Sequence, residues 1–185
     1  MADASLAPVA IETGRLLMRV PQAEDRAPLH DMWADPAVMA DLGPLKNAAE
    51  SDMAIARHAS YAPLGFRALV LREGGATIGF CGLKPGAPHT PIAGMLEIGW
   101  MLAVPFWGTG YAREAAAAAI AWGWANRTED AIVAITAESN AKSRLLMERL
   151  GMAHDPASDF DHPLFAVDDP RRRTVTYRIS RPAGL

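Results

Sequence analysis

Apolar residues recur along the chain with two different periods, and the change from one to the other divides it into elements. Residues 15–20 (RLLMRV) read as a short strand, stopped by Pro21, which has no N–H to give a ladder. Residues 23–35 (AEDRAPLHDMWAD) place Leu29, Met32 and Trp33 on one side of a helix, and a second helical stretch runs over 48–62, past a loop at 35–45 that contains Gly43-Pro44. Three strands follow closely: 65–73 (GFRALVLRE), 76–84 (ATIGFCGLK) and 95–102 (MLEIGWML). Gly74-Gly75 joins the first two as a tight hairpin, and the Pro/Gly-rich loop at 85–94 joins the next. After Pro105 the pattern turns helical from about 110 to 126, then 131–137 (AIVAITA) reads as a buried strand and 140–151 as an amphipathic helix closed by Gly151. A last strand lies in 172–180 (RRTVTYRIS). The long polar segment before it, 153–172, is of a length that a compact domain keeps for function or leaves disordered.

Strands and helices alternate to the end without a repeat or linker, so the 185 residues read as one α/β domain, 1–185, with 1–11 a flexible N-terminal segment. At this length a chain buries about 70% of its unfolded surface, enough for a core without staples. With one cysteine, no intramolecular disulfide forms. Cys81 sits mid-strand among apolar neighbours and reads as core rather than as a catalytic thiol. Lys and Arg total 18 against 21 Asp and Glu, a net charge of −3, which speaks against a nucleic-acid or anionic-membrane binder. The N-terminus has acidic residues where a signal peptide has cations, and the most apolar stretch, 112–127, is charged at both ends and too short to span a bilayer. The expectation is a cytoplasmic protein.

Chemistry concentrates where a strand gives way to a helix, in EIGWMLAVPFWGTGYAREAAAAAIAW. Gly108 and Gly110 remove side chains at the turn, and the first turn of the helix leaves N–H groups unpaired at its positive dipole end. Such a corner suits a phosphate or pyrophosphate. Neither GxxxxGK[ST] nor GxGxxG is present, which demotes a nucleotide kinase and a dinucleotide dehydrogenase. Taken alone, the turn is equally compatible with a tight connection that binds nothing.

The run Trp107-Gly108-Thr109-Gly110-Tyr111-Ala112 resembles the acyl-CoA loop of the GNAT superfamily of N-acetyltransferases, whose pattern is Gln/Arg-x-x-Gly-x-Gly/Ala. Trp at the first position departs from that pattern and is similar to the branch of RimJ and RimL, the ribosomal-protein N-terminal acetyltransferases. TGRLLMR, WADPAVM, EIGWML and ESNAKSRLLMERLGM agree with that branch, so the resemblance runs from about Glu12 to Arg178. It implies a mixed, twisted central sheet of about seven strands with helices on both faces, splayed between the fourth and fifth strands, where acetyl-CoA enters as cosubstrate and no metal is needed. It further implies that the backbone of Met101, Leu102, Ala103 and Val104 pairs with the pantetheine arm. Trp107, Gly108, Thr109, Gly110, Tyr111, Ala112 and Arg113 would hold the pyrophosphate, and Asn140 and Ser143 would face the cofactor channel. As local chemistry Asn140 is also an N-cap. The family's usual general acid, a tyrosine seven residues after this asparagine, is replaced by Met147, which cannot donate a proton; Ser143 or a water is the substitute.

Acetyl transfer to an amine needs a group to take the amine's proton. Glu97 leads: strand alternation puts it on one face with Met95, Gly99 and Met101, where partial burial would raise its pKa; the alternative is a solvated carboxylate or a partner for an arginine. His162, clustered with Asp159 and Asp161, is the second candidate base. His30 and His58 read as structural or surface residues. Trp33, Trp107 and Tyr111 are candidates for the wall of an amine pocket, and Arg171, Arg172 and Arg173 read as solvent-facing. No HExxH and no His/Cys cluster has metal-ligand spacing. The expected function is therefore transfer of acetyl from acetyl-CoA to a primary amine, a protein N-terminus or a small molecule, in a ternary complex. Another acyl group such as succinyl, or an acyl-CoA sensor without turnover, are the alternatives, and many relatives pair as homodimers.

Overall fold

Alternating apolar positions along the chain become one central sheet in the computed structural model, which describes residues 10–184. The elements in chain order are β1 (Ile11–Glu12), β2 (Leu16–Arg19), α1 (Arg26–Ala34), α2 (Pro36–Met39), α3 (Ala48–Ala59), β3 (Gly65–Leu71), β4 (Thr77–Pro85), β5 (Leu96–Leu102), α4 (Tyr111–Asn126), β6 (Ala131–Ala137), α5 (Ala141–Arg149), β7 (Ala153–His154), β8 (Phe160–Asp161) and β9 (Arg173–Ser180). The expected flexible segment 1–11 lies outside the described residues except for its end, where Ile11 pairs with Met18. Strand order is β1-β2-β3-β4-β5-β6-β9-β7, with β8 also on β9. The sheet has nine strands rather than about seven, because β1, β7 and β8 are two-residue pairings too short to show a period.

Each described strand pairing is antiparallel except that of β5 with β6, which α4 connects as a crossover. That parallel pairing holds for two residue pairs only, Leu96↔Ile132 and Glu97↔Val133. Beyond Glu97 the two strands part, at the junction expected between the fourth and fifth long strands.

Helices cover both faces. On one, α4 buries Ala115, Ala116, Ala119, Ile120 and Trp124 in a core with Leu96, Ile98, Leu102 and Ile132. The small residues set how near the helix comes: a Cβ at Gly123 would stand 2.6 Å from Leu83 Cδ1. Met101 points the other way, into a second core with Phe80 and with Leu29, Met32 and Trp33 of α1, the three residues expected on one side of that helix. Thus β5 presents alternate residues to two cores. Cys81 is fully buried in the first of them, and burial pushes its thiol up, as suits core rather than chemistry.

Three local departures have local causes. The expected loop at 35–45 contains α2, a single turn that Asp35 caps by accepting the Ala37 N–H at 2.8 Å, with Pro36 at its first position. α3 ends at Ala59 rather than 62, since the residue before Pro63 is pushed out of the helical region. The segment 153–172 is pinned rather than loose: Asp159 accepts the Thr176 N–H at 2.8 Å, and Thr176 Oγ1 donates to Ser158 O at 2.8 Å.

Candidate active site

Two structures meet at the gap between β5 and β6: a corner made of main chain and a cavity made of side chains. At the corner the chain leaves β5, turns through Gly108 (φ 73°) and Gly110 (φ 88°), and enters α4. Both glycines lie in the left-handed region that disfavours residues with a Cβ. Among the described residues nothing accepts the N–H groups of Gly108 to Arg113, so six donors are left free at and before the start of the helix. Arg15 of the β1–β2 turn fixes this conformation. Its Nε donates to Glu114 at 2.7 Å and its Nη1 to Thr109 O at 3.1 Å, while its guanidinium lies 4.2 Å from the Tyr111 ring centroid.

The strand edge beside the corner is more selective than the four expected residues suggest. Ala103 N–H donates to Ile78 O at 3.0 Å and Gly86 N–H to Met95 O at 2.7 Å, so the odd-numbered residues of β5 turn their polar groups to β4. By alternation the groups of Trp100 and Leu102 face the gap. Met101 is therefore corrected from that set, and Ala103 with it, its carbonyl also accepting the Phe106 N–H at 3.0 Å. Leu102 O is already taken by the Trp107 indole N–H at 2.8 Å.

The cavity has a volume of about 280 Å³ and is lined from α1, α2, the turn before α3, α3, β3, β4, β5, β6, α5, the segment before β9 and β9. Glu97, Ser143 and His162, far apart in sequence, all line it. Glu97 is 7% exposed and forms an ion pair with Lys84, which stands opposite it across β4 and β5. Burial raises its carboxyl above the usual carboxylate range, against the pull of the Lys84 ammonium. His162 is shifted the other way, lowered by burial and then by Lys84. Its Nδ1 accepts the Leu164 N–H at 3.3 Å, which leaves the proton of the neutral ring on Nε2 and makes that edge a donor. Of the two candidate bases, only Glu97 keeps free lone pairs.

Residues 15–153 match the family described as Acetyltransferase (GNAT) domain. The chain belongs to that family. The GNAT fold is shared with a solved acetyltransferase from Agrobacterium tumefaciens str. C58, 25% identical with a TM-score of 0.75 over 97% of this chain and 98% of that one. A spermidine N-acetyltransferase from Vibrio cholerae, solved in complex with CoA and spermine, has the same fold at 16% identity and a TM-score of 0.72, over 91% and 97% of the two chains. In sequence the chain is similar to the uncharacterized protein YkkB of Bacillus subtilis (strain 168), 35% identical over 78 residues, 42% of this chain and less than half, 44%, of that protein.

Within this GNAT domain the other expected residues fall in several places. Asn140 is the N-cap of α5, accepting the Ser143 N–H at 3.1 Å, and Met147, 2% exposed, lines the cavity. Trp33 walls the cavity, whereas Trp107 and Tyr111 stay at the corner, with Lys142 Nζ 4.3 Å from the Trp107 ring centroid. The Asp159–Asp161–His162 cluster is not one site: Asp159 faces His154 and Thr176, and Asp161 faces Arg172 at 3.4 Å. Of the arginine run expected to face solvent, Arg173 is exposed and Arg171 and Arg172 are half-buried, and each has a partner. Arg171 is held by Asp169 at 2.6 Å, Arg172 donates to Phe165 O at 2.9 Å, and Arg173 lies 3.6 Å from Asp159.

The sequence reading missed Lys84, while His58, read as a structural or surface residue, proves to be structural. His58 is buried at the cavity wall, stacked on Phe66 with centroids 4.3 Å apart, and its Nδ1 accepts the Phe66 N–H at 3.1 Å. Burial, then Arg57 and Lys84, lower its pKa to about 3. A histidine one residue past a helix's apolar stripe gives no sign of this. Lys84 was detectable, since pairing β4 with β5 through the loop at 85–94 puts it opposite Glu97. No helix among the described residues is long and apolar enough to cross a membrane, and no group of three potential metal-ligating His, Cys, Asp or Glu side chains occurs among them.

Proposed function

We propose that the protein is an N-acetyltransferase that moves the acetyl group of acetyl-CoA to a primary amine, by direct transfer in a ternary complex. The observation that carries this reading is the adjacency of the open main-chain corner, the gap between β5 and β6 and the cavity holding Glu97. Six free N–H donors at a helix start fit a pyrophosphate, and the edge at Trp100 and Leu102, where the only partner among the described residues is the Trp107 indole on Leu102 O, fits the amides of a pantetheine arm. Trp107 would release Leu102 O as that arm docks. The CoA held by the Vibrio cholerae protein supports the same choice of cosubstrate. Trp107 at the head of the loop supports the RimJ/RimL-like branch.

Acetyl-CoA, when bound, supplies an activated thioester. The protein's residues supply the rest. Glu97, desolvated but open to the cavity, takes the proton that the amine loses as its nitrogen forms the new amide bond. Lys84 holds that carboxylate in place. Ser143 offers its hydroxyl to the departing sulfur in place of the missing tyrosine, since the thioether of Met147 cannot. The neutral Nε2–H of His162 is a further donor to groups in the cavity.

Free thiol release from acetyl-CoA with a panel of amines tests the proposal. Release that depends on the amine supports it. Tight acetyl-CoA binding with no release across the panel favours a sensor, the reading that Met147 supports.

A further inference from the structure

The cavity also carries charge that the transfer chemistry does not use. Lys84 is engaged by Glu97, and Arg171 by Asp169 through Nε at 2.9 Å and Nη2 at 2.6 Å, with Asp41 adding to its negative surroundings. Two cations remain. Lys46, in the turn before α3, and Arg57, in the last turn of α3, both line the cavity, and among the described residues no carboxylate lies within ion-pair distance of either. Glu50, whose field reaches Lys46, is occupied in the cap of α3, where it accepts the Asn47 N–H at 2.8 Å. Burial, then repulsion from Arg57, holds the Lys46 ammonium below its ordinary range. Lys46 is half-buried and Arg57 exposed, and beside the aromatic wall of Trp33, Phe66 and Phe80 these two positive charges, without a carboxylate partner among the described residues, favour an anion.

We infer that the acceptor is an amine that also bears a carboxylate on an apolar or aromatic body, as a hydrophobic amino acid does, with Lys46 and Arg57 receiving the carboxylate. This rests on the N-acetyl transfer proposed above and names its substrate class. The volume agrees: about 280 Å³ is at the low end of small-molecule sites, roughly 300 Å³ upward, and suits a body of that size. A polyamine of the kind bound in the Vibrio cholerae protein would instead bring positive charge against Lys46 and Arg57.

Two measurements separate this inference from the reading beneath it. Thiol release is compared for phenylalanine, phenylalaninamide and spermidine, and calorimetry compares 3-phenylpropionate with 3-phenylpropanamide, which have no amine to react. The expected result is a preference for each carboxylate over its amide of about tenfold or more, as one charge-assisted contact provides. That ratio should fall towards one in Arg57→Gln and in Lys46→Gln and return in Arg57→Lys. Equal binding of the propionate and the propanamide, or spermidine as the better acceptor, overturns the inference while leaving acetyl transfer intact. If no amine releases thiol, the transfer reading fails instead, and the propionate-to-propanamide ratio still decides this one.

Discussion

The corner at the start of α4 and the cavity beside it are built on opposite principles. The corner is contiguous, 108–113, and its working atoms are main-chain N–H groups that any sequence has, so what it demands of the side chains is mostly their absence at Gly108 and Gly110. The cavity draws on residues from Trp33 to Thr174, and its working atoms are side chains that no neighbouring residue can replace. A ligand common to many proteins can be held by backbone, whereas a distinctive one requires side chains. The corner is thus the generic half of the site and the cavity the specific half.

The largest effect should come from the cavity's one buried carboxylate. Glu97→Gln keeps the shape and removes the proton acceptor, so kcat should fall by about 10²–10⁴, with acetyl-CoA affinity by calorimetry unchanged. The pH profile sharpens this. Burial raises the Glu97 pKa, and the carboxylate is active when ionised, so wild-type kcat/KM should decline as pH falls through a value above the usual carboxylate range. The Gln variant should lack that limb. Wild-type turnover in the variant would move the base elsewhere and remove the main contrast between the two regions.

The same contrast explains what could be read before folding. The long strands, α1, α4 and α5 follow from apolar period, and the corner follows from two glycines between a strand and a helix, because each depends on residues close in sequence. Asn140 is legible as a cap for the same reason. β1, α2, β7 and β8 are too short to have a period; α2 exists through one cap and one proline, and β7 and β8 through an existing strand, β9. In the cavity Glu97 could be placed on a strand face and Lys84 opposite it through the β4–β5 pairing, but Lys46, Arg57 and the wall residue His58 become their neighbours only through tertiary packing. Arg171 shows the limit most plainly: a run of three arginines suggests solvent, and Asp169 two residues earlier binds it instead.

The corner should fail in the complementary way. Gly110→Val forces a β-branched residue to φ 88° and sets its Cβ 3.4 Å from Arg15 Nη2, at a strain of about 1–3 kcal/mol. Acetyl-CoA binding should weaken by about tenfold or more, while kcat at saturating acetyl-CoA stays near wild type. Unchanged affinity in a folded variant would show that the corner holds no phosphate.

A stability measurement reports on the cavity wall alone. His58 is held neutral with a pKa lowered to about 3 from its ordinary 6.5, so the unfolded chain binds a proton that the folded one refuses. Its contribution is therefore fully present above about pH 6.5 and is lost as pH falls from there towards 3, at roughly 1.4 kcal/mol per pH unit. His58→Asn keeps an acceptor for the Phe66 N–H but does not titrate. Denaturant midpoints for the two proteins should converge as the pH is lowered from 7 to 4; parallel curves would mean that His58 opens to solvent.

Ser143 offers the smallest and most discriminating change, because it belongs to both regions: its N–H caps α5 against Asn140, and its side chain lines the cavity. Ser143→Ala preserves the first role and deletes the second. If the hydroxyl stabilises the departing sulfur by one neutral hydrogen bond, about 1 kcal/mol, kcat should drop by roughly fivefold with acetyl-CoA affinity and melting temperature unchanged. A loss approaching that of Glu97→Gln would make Ser143 the proton donor that Met147 cannot be. No loss would mean that the sulfur takes its proton from water, and the cavity would then resemble the corner in leaving one half of its chemistry to something other than a side chain.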